Sequence, residues 1–310
     1  MKGHFLKEQG LGNNQPVKKP RATFTLEGHS FVGDKRTTPI RGDLADIKLA
    51  GLLFAPHYAV PMIRSCITPS ATMHVQPDID STGISELIYG EDFAVLDISG
   101  QWAWGYTVHD DYLGYVALPA LGERPNATHF VISSGVMLLA APDIKAQVKA
   151  RLHMGAKLVC GDLESAGDFI ACDGGFVHAG HVSEIGNVEG DPAGLAEKLI
   201  GTPYLWGGRS GDAIDCSGLV QLVYGMKGIA LPRDTDLQQD VVGRLLTNDE
   251  PLQRNDLVYF PGHVGIMADG ENLIHATAHK MQLVIEPLTD VTARFADAEG
   301  GPITARRRIL

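Results

Sequence analysis

The hydrophobic pattern changes character three times along the chain. Residues 1 to about 40 mix Gly, Asn, Pro and Lys with no period, which predicts a disordered or surface-draped arm. Apolar positions Leu44, Ala45, Ile47, Leu49, Leu52 and Leu53 then suit a short helix across Asp43 to Leu53. From about residue 60 the texture becomes short apolar runs between turn residues: Ser85 to Glu91, Phe93 to Ile98, Gln101 to Tyr106 and Tyr112 to Val116. Strands this short, at near-regular spacing, predict a small β-barrel. A looser second pass follows at Arg151 to Ala156, Leu158 to Cys160, Phe169 to Cys172 and Gly175 to His178. Trp102, Trp104, Tyr112 and Tyr115 are then either barrel core or a ligand-contacting face.

The last third reads differently. Asp191-Pro192 is a helix start, Leu195, Ala196, Leu199 and Ile200 share one helical face, and Gly201-Thr202-Pro203 stops the run. A second helix is expected to open at Cys216, between the turn glycines Gly207, Gly208 and Gly211 and the apolar run Leu219 to Val223. Loop residues Leu231 to Thr235 follow. Strand-like runs come last, at Leu257 to Phe260, His263 to Met267, Leu273 to His275, Leu283 to Ile285 and Ile303 to Ile309. Helices first and strands afterwards make an α+β domain. The expected organisation is an arm at 1–55, barrels at 56–122 and 123–186, and a catalytic domain at 187–310.

Composition narrows the function. With 44% hydrophobic and 20% charged residues, the 310-residue chain suits an ordinary globular protein. A formal charge of -11 argues against a nucleic-acid binder, which normally carries a basic stripe. No apolar run reaches the ~20 residues of a membrane span, and the first residues have no signal-peptide core. A reducing cytoplasm is the expected compartment. The four cysteines are too few for a disulfide framework and lack zinc-site spacing, so no metal or cofactor is expected. Cys66, Cys160 and Cys172 read as inert packed thiols.

Cys216 differs because of its place. The unpaired N–H groups and positive dipole end of a helix favour thiolate over thiol. Downstream, His263 and His275 fall on neighbouring strand-like runs whose connecting Asp269-Gly270 is a hairpin signal. That supplies a base and a group to orient it, the logic of a thiol protease with histidine in third place. His279, four residues beyond His275, has no such support.

Six motifs carry a resemblance: Tyr204-x-Trp206-Gly207-Gly208, Asp215-Cys216-Ser217-Gly218-Leu219-Val220, Leu231-Pro232-Arg233, Asn255 to Phe260, Gly262 to Ile266 and Leu273 to Ala276. In that order they resemble the NlpC-type cysteine peptidase family, which implies a papain-like catalytic fold. The barrel pattern resembles bacterial SH3-like domains, well in the first copy and less so in the second, which has Phe169 where the first has tryptophan. Together they resemble γ-D-glutamyl-L-diamino-acid endopeptidases, which cut bacterial cell-wall peptides.

The resemblance implies Cys216 as nucleophile, His263 as general base and acid, and His275 as its orienter. The Cys216 N–H would serve the oxyanion, a contribution of ~3 kcal/mol of barrier per donor. Tyr204, Asp215 and Ser217 would shape a pocket for a free N-terminal L-Ala, with Trp206 beside them. Asp215 is otherwise a plain helix N-cap, and Tyr204 and Trp206 otherwise core packing. The implied substrate is a murein peptide, L-Ala-γ-D-Glu-diamino acid, hydrolysed for recycling. Hydrolysis of intact wall, an amidase or acyltransferase on the same fold, and a wall-binding module remain the alternatives.

Overall fold

The computed structural model describes residues 33–124, 126–161 and 167–309. Most of the expected arm lies outside the described residues. The helix expected across Asp43 to Leu53 does not form. Leu44–Asp46 is a strand paired in parallel with His57–Ala59, and only Ile47–Leu49 makes a 3-10 turn. Tertiary contacts outweigh a weak helical period here. Ala45, Leu49 and Ala55 are buried together, and the Tyr106 hydroxyl donates to Asp46 Oδ2 at 2.7 Å. The Arg41 guanidinium lies 4.7 Å above the Trp104 ring and Lys48 Nζ 4.3 Å above Tyr106.

That segment covers one face of a seven-stranded antiparallel sheet. Its order is Gly83–Ile88, Ser70–His74, Leu113–Ala117, Trp102–Thr107, Asp92–Ser99, Met62–Cys66 and Leu121–Gly122. Period-two alternation sends Phe93, Val95, Ala103 and Val116 to a core shared with Cys66, Met73 and Tyr112. Ala94, Leu96, Trp104 and Tyr106 face the other way, toward Leu44 and Ala59. Trp104 and Tyr112 are therefore buried, while Trp102 stands edge-on to His74.

Two smaller sheets follow. One orders Val148–His153, Gly135–Leu139, Gly175–His178 and Phe169–Cys172; the other orders Lys157–Leu158, His129–Val131 and Val182–Glu184. Val131, Val136, Leu152, Leu158, Ile170 and Val177 form their common core. Here one expectation is overturned. Cys160 and Cys172 are not free thiols; they face each other across an antiparallel bridge, Cα atoms 4.0 Å apart, and form a disulfide. A sequence separation of 12 hid the pairing, because the bridge depends on how the strands align. Cys66 stays a buried thiol.

The remaining residues form a six-stranded antiparallel sheet: Arg244–Leu245, Ala305–Arg308, Leu257–Phe260, His263–Met267, Asn272–Thr277 and Gln282–Pro287. The hairpin expected between the two histidine strands is present, with Ile266 opposite Ile274. Helices Pro192–Glu197 and Cys216–Gly225 begin where expected, each with its aspartate N-cap. Leu219, Val220 and Val223 bury one face of the cysteine helix against Val264, Ile266, Ile274 and Ala276. A helix at Thr235–Val241 was not foreseen, because its sequence TDLQQDV carries no apolar stripe. It is anchored by a polar residue: buried Gln238 donates from Nε2 to the carbonyls of Ser217 and Pro232.

The turn leading to Cys216 is pressed between the modules. Gly207 has φ +84°, and a Cβ there would lie 3.1 Å from the Gly83 carbonyl oxygen of the first sheet. At Gly211 a Cβ would lie 2.3 Å from Ser134 O in the second strand-rich module. Between them Arg209, 2% exposed, pairs with Glu91 at 2.8 Å and donates to the Glu86 carbonyl at 2.8 Å.

Candidate active site

Cys216 is the first residue of its helix and is 7% exposed. Asp215 caps that helix, its Oδ1 accepting the Gly218 N–H at 2.7 Å. The N–H groups of Cys216 and Ser217 have no acceptor inside a first helical turn, so this end can receive an oxyanion. Asp215 does more than cap. Arg233, 1% exposed, donates to both its oxygens at 3.0 and 2.6 Å and to Ser217 Oγ at 2.9 Å. Gly207 N–H adds a further bond to Oδ2 at 2.8 Å. The Asp215 charge is thus neutralised by a buried guanidinium before any substrate arrives. Arg233 lay outside the residues singled out from the sequence, although its Leu-Pro-Arg motif was noted.

The two histidines form a chain. His263 Nε2 lies 2.7 Å from His275 Nδ1, and His275 Nε2 lies 3.0 Å from Glu286 Oε2. Arg294 donates to both Glu286 oxygens, at 2.9 and 2.5 Å. Glu286 had not been expected in the site. The one sequence signal for it is strand pairing, which puts Glu286 next to the residue opposite Ile274.

Two cavities meet at the thiol. One of 610 Å³ is lined by Cys216, Ser217, Asp215, Tyr204 and Trp206, and also by Ile84 and Tyr112 from the first sheet and by Arg36. The other, of 320 Å³, shares Cys216 and Tyr204 and reaches His263, His275, His279 and Arg294. All seven residues singled out from the sequence therefore line one or both cavities. Arg36 closes the first by binding Asp34, Asp234 and Asp236, each at 2.7 to 2.8 Å. The Tyr112 hydroxyl donates to Asp234 Oδ2 at 3.0 Å.

Electrostatics differ from the helix-dipole expectation. Burial, reinforced by the Asp215 carboxylate, pushes the Cys216 thiol up to about 11. Burial, with the neighbouring His275 and Arg294, brings His263 down to about 3. Burial therefore favours the neutral form at both groups, thiol at Cys216 and uncharged imidazole at His263. The Thr235 hydroxyl, 3.9 Å from Sγ, is a weak partner. Because the thiolate fraction rises with pH up to the thiol's pKa, iodoacetamide is expected to label Cys216 slowly at pH 6. The rate then climbs by about tenfold per pH unit from 7 to 10. Peptide mass spectrometry of the labelled chain checks this, and a rate already level below pH 7 would show a preformed thiolate instead.

A thiol at a helix start thus shares a cavity with a paired set of histidines on the adjoining sheet, the residue types that cysteine-type peptidases use. Residues 201–294 match the NlpC/P60 family and residues 73–121 match the bacterial dipeptidyl-peptidase SH3 domain. Dipeptidyl-peptidase 6 of Lysinibacillus sphaericus is 25% identical over 263 residues, covering 77% of this chain and 96% of that protein. Gamma-D-glutamyl-L-lysine dipeptidyl-peptidase of Bacillus cereus is 31% identical over 106 residues, covering 32% of this chain and only 31% of its own length. The crystal structure of an NlpC/P60 family protein from Bacillus cereus shares the fold, with a TM-score of 0.67 at 18% identity over 80% of this chain and all of that one.

Proposed function

We propose that the protein is a cysteine endopeptidase that hydrolyses the γ-D-glutamyl–L-diamino acid bond of murein peptides bearing a free N-terminal L-Ala. The observation that carries this is the walled, acidic cavity beside Cys216. Its wall and the groups bonded to it hold four carboxylates (Asp34, Asp215, Asp234 and Asp236) against two guanidiniums, those of Arg36 and Arg233. An excess of negative charge in a confined space suits an α-ammonium. Ile84 and Tyr112 of the first sheet wall the cavity that holds the thiol, which suits a short peptide over a long strand of wall. The name of the Bacillus cereus relative, gamma-D-glutamyl-L-lysine dipeptidyl-peptidase, supports the same bond, and that of the Lysinibacillus relative supports release of a dipeptide.

In this reading Cys216 gives its proton to His263 as Sγ attacks the γ-carbonyl carbon. The oxyanion is held at the helix N-terminus, and His263 returns the proton to the departing amine. Water, activated by His263, then releases L-Ala-γ-D-Glu from the thioester. The second strand-rich module is assigned as a further SH3-like barrel, and the cellular role as recycling of released wall peptides.

The test compares L-Ala-γ-D-Glu-L-Lys with its N-acetyl form. Acetylation removes the charge and adds bulk, and is expected to lower kcat/KM by about a hundredfold or more. Tyr112→Ala opens the wall and narrows that ratio to within about tenfold. Equal turnover of both peptides by the wild type would refute the pocket assignment.

A second reading, hydrolysis of intact wall outside the cytoplasm, is favoured by the Cys160–Cys172 disulfide, since such bonds persist in oxidising compartments. Thiol trapping in the producing cells separates the two: a reduced pair supports recycling, an oxidised pair supports export.

A further inference from the structure

We propose that Glu286 is a positioning residue that selects the base-competent tautomer of both histidines. An ionised carboxylate can only accept hydrogen bonds. Glu286 is ionised, since Arg294 holds its carboxyl down to about 2. Its partner at 3.0 Å, His275 Nε2, must therefore carry a hydrogen. In a neutral imidazole the second nitrogen is then a bare lone pair, so His275 Nδ1 can only accept. Its neighbour at 2.7 Å, His263 Nε2, must be the donor. That leaves Nδ1 of His263 as the one unprotonated ring nitrogen of the pair not already engaged by the other ring. It is the atom that takes the Cys216 proton.

Without the carboxylate, the pair can reverse. His275 would carry its hydrogen on Nδ1 and donate to His263 Nε2, and His263 would hold its own on Nδ1. The base then faces the thiol already protonated, with nothing to accept. Glu286 thus acts two rings away from the sulfur, and its strand brings it there: Gln282–Pro287 pairs along the whole His275 strand. The other charged or titratable groups around the pair are Arg294 from the helix beyond, His279 and Tyr204 across the cavity, and Asp215 and Cys216 at the helix start. Arg294 hydrogen-bonds the carboxylate and not the rings, which it affects by its charge alone.

The inference rests on His263 acting as base in the proposed hydrolysis, but its test does not need a substrate. The full-length chain is labelled with ¹⁵N in its imidazole rings, and His263 and His275 are assigned by single substitution. At neutral pH both rings of the wild type are expected in the Nε2–H form. Glu286→Ala is expected to give mixed or reversed tautomers at both rings. Arg294→Met breaks the same ion pair but keeps the carboxylate, and is expected to leave the tautomers unchanged. On L-Ala-γ-D-Glu-L-Lys, Glu286→Ala lowers kcat by about tenfold or more with KM within about twofold, a split expected of a group that does not touch substrate. Both rings remaining Nε2–H in Glu286→Ala would overturn the proposal. So would an Arg294→Met variant shifted as far as Glu286→Ala, which marks a merely structural strap. Failure to cleave this peptide, with the tautomers behaving as stated, would count against the substrate reading alone.

Discussion

Cys216→Ala is expected to lower kcat on L-Ala-γ-D-Glu-L-Lys by about 10⁶-fold, and His263→Ala by nearly as much. The double variant should be no worse than either. The reason is that sulfur and imidazole form one device. The resting thiol is neutral, with a pKa pushed up to about 11, and becomes a nucleophile only when His263 accepts its proton. With the base removed the sulfur stays protonated near neutral pH; with the sulfur removed the base has nothing to activate. What survives is the helix N-terminus and the binding cavity, worth about 10³–10⁴ over water in comparable sites. His275→Ala should cost about 10⁴, because it supports the base without exchanging a proton with substrate. KM should move little in all three, since of these residues only Cys216 lines the larger cavity and its replacement removes just the sulfur. Steady-state kinetics on the purified variants measure this. Losses of Cys216→Ala and His263→Ala that add in the double variant would show that the two act independently.

Arg233→Met is expected to destabilise the protein by about 3–5 kcal/mol, through a charge left behind and not through the one removed. Arg233 is 1% exposed, and its guanidinium spans both oxygens of Asp215, the Ser217 hydroxyl and, through Nε, Ser85 Oγ at 3.0 Å. Without it Asp215 keeps a carboxylate that is only 5% exposed and has lost its counter-charge. A loss of that size lowers Tm by roughly 10 °C in a chain this long. Activity should fall as well, since Asp215 caps the helix that carries the thiol. Adding Asp215→Asn to Arg233→Met removes the stranded charge while keeping a capping oxygen, and is expected to recover at least half of the lost stability. Thermal unfolding of the three variants decides it. A double variant no more stable than Arg233→Met would mean that the arginine acts by packing alone.

The chemistry of the site was legible because it is local. Asp215 before Cys216 is a helix start written in adjacent residues, and His263, Asp269-Gly270 and His275 spell a hairpin within thirteen positions. The partners of those groups were not legible. Arg233 reaches Asp215 over 18 residues and Ser85 over 148, and Tyr112 meets Asp234 over 122. No periodicity records contacts of that kind. Glu286 illustrates the same limit at short range: an acidic residue on an edge strand reads as a solvated charge until the pairing register sets it beside His275. The Asp43 to Leu53 segment failed in the opposite way. Its apolar spacing permitted a helix, but Tyr106 supplied a better partner for Asp46, and the cluster holding Trp104 one for Leu44, in extended form. The thiolate expectation is opposed by burial, which pushes the Cys216 thiol up and which, unlike a helix start, is not visible in sequence.

The glycine turn ahead of Cys216 has a consequence for how such a protein can change over time. A side chain at Gly211 would collide with a carbonyl of the second module, one at Gly207 would crowd a carbonyl of the first from a strained positive φ, and Arg209 draws its counter-charge from that first module. The loop that aims the nucleophile is therefore moulded from outside its own domain. An N-terminal module exchanged for another would have to reproduce those contacts to keep the loop in place. Single changes along the existing cavity wall, at positions such as Ile84, Tyr112 and Asp234, leave them intact.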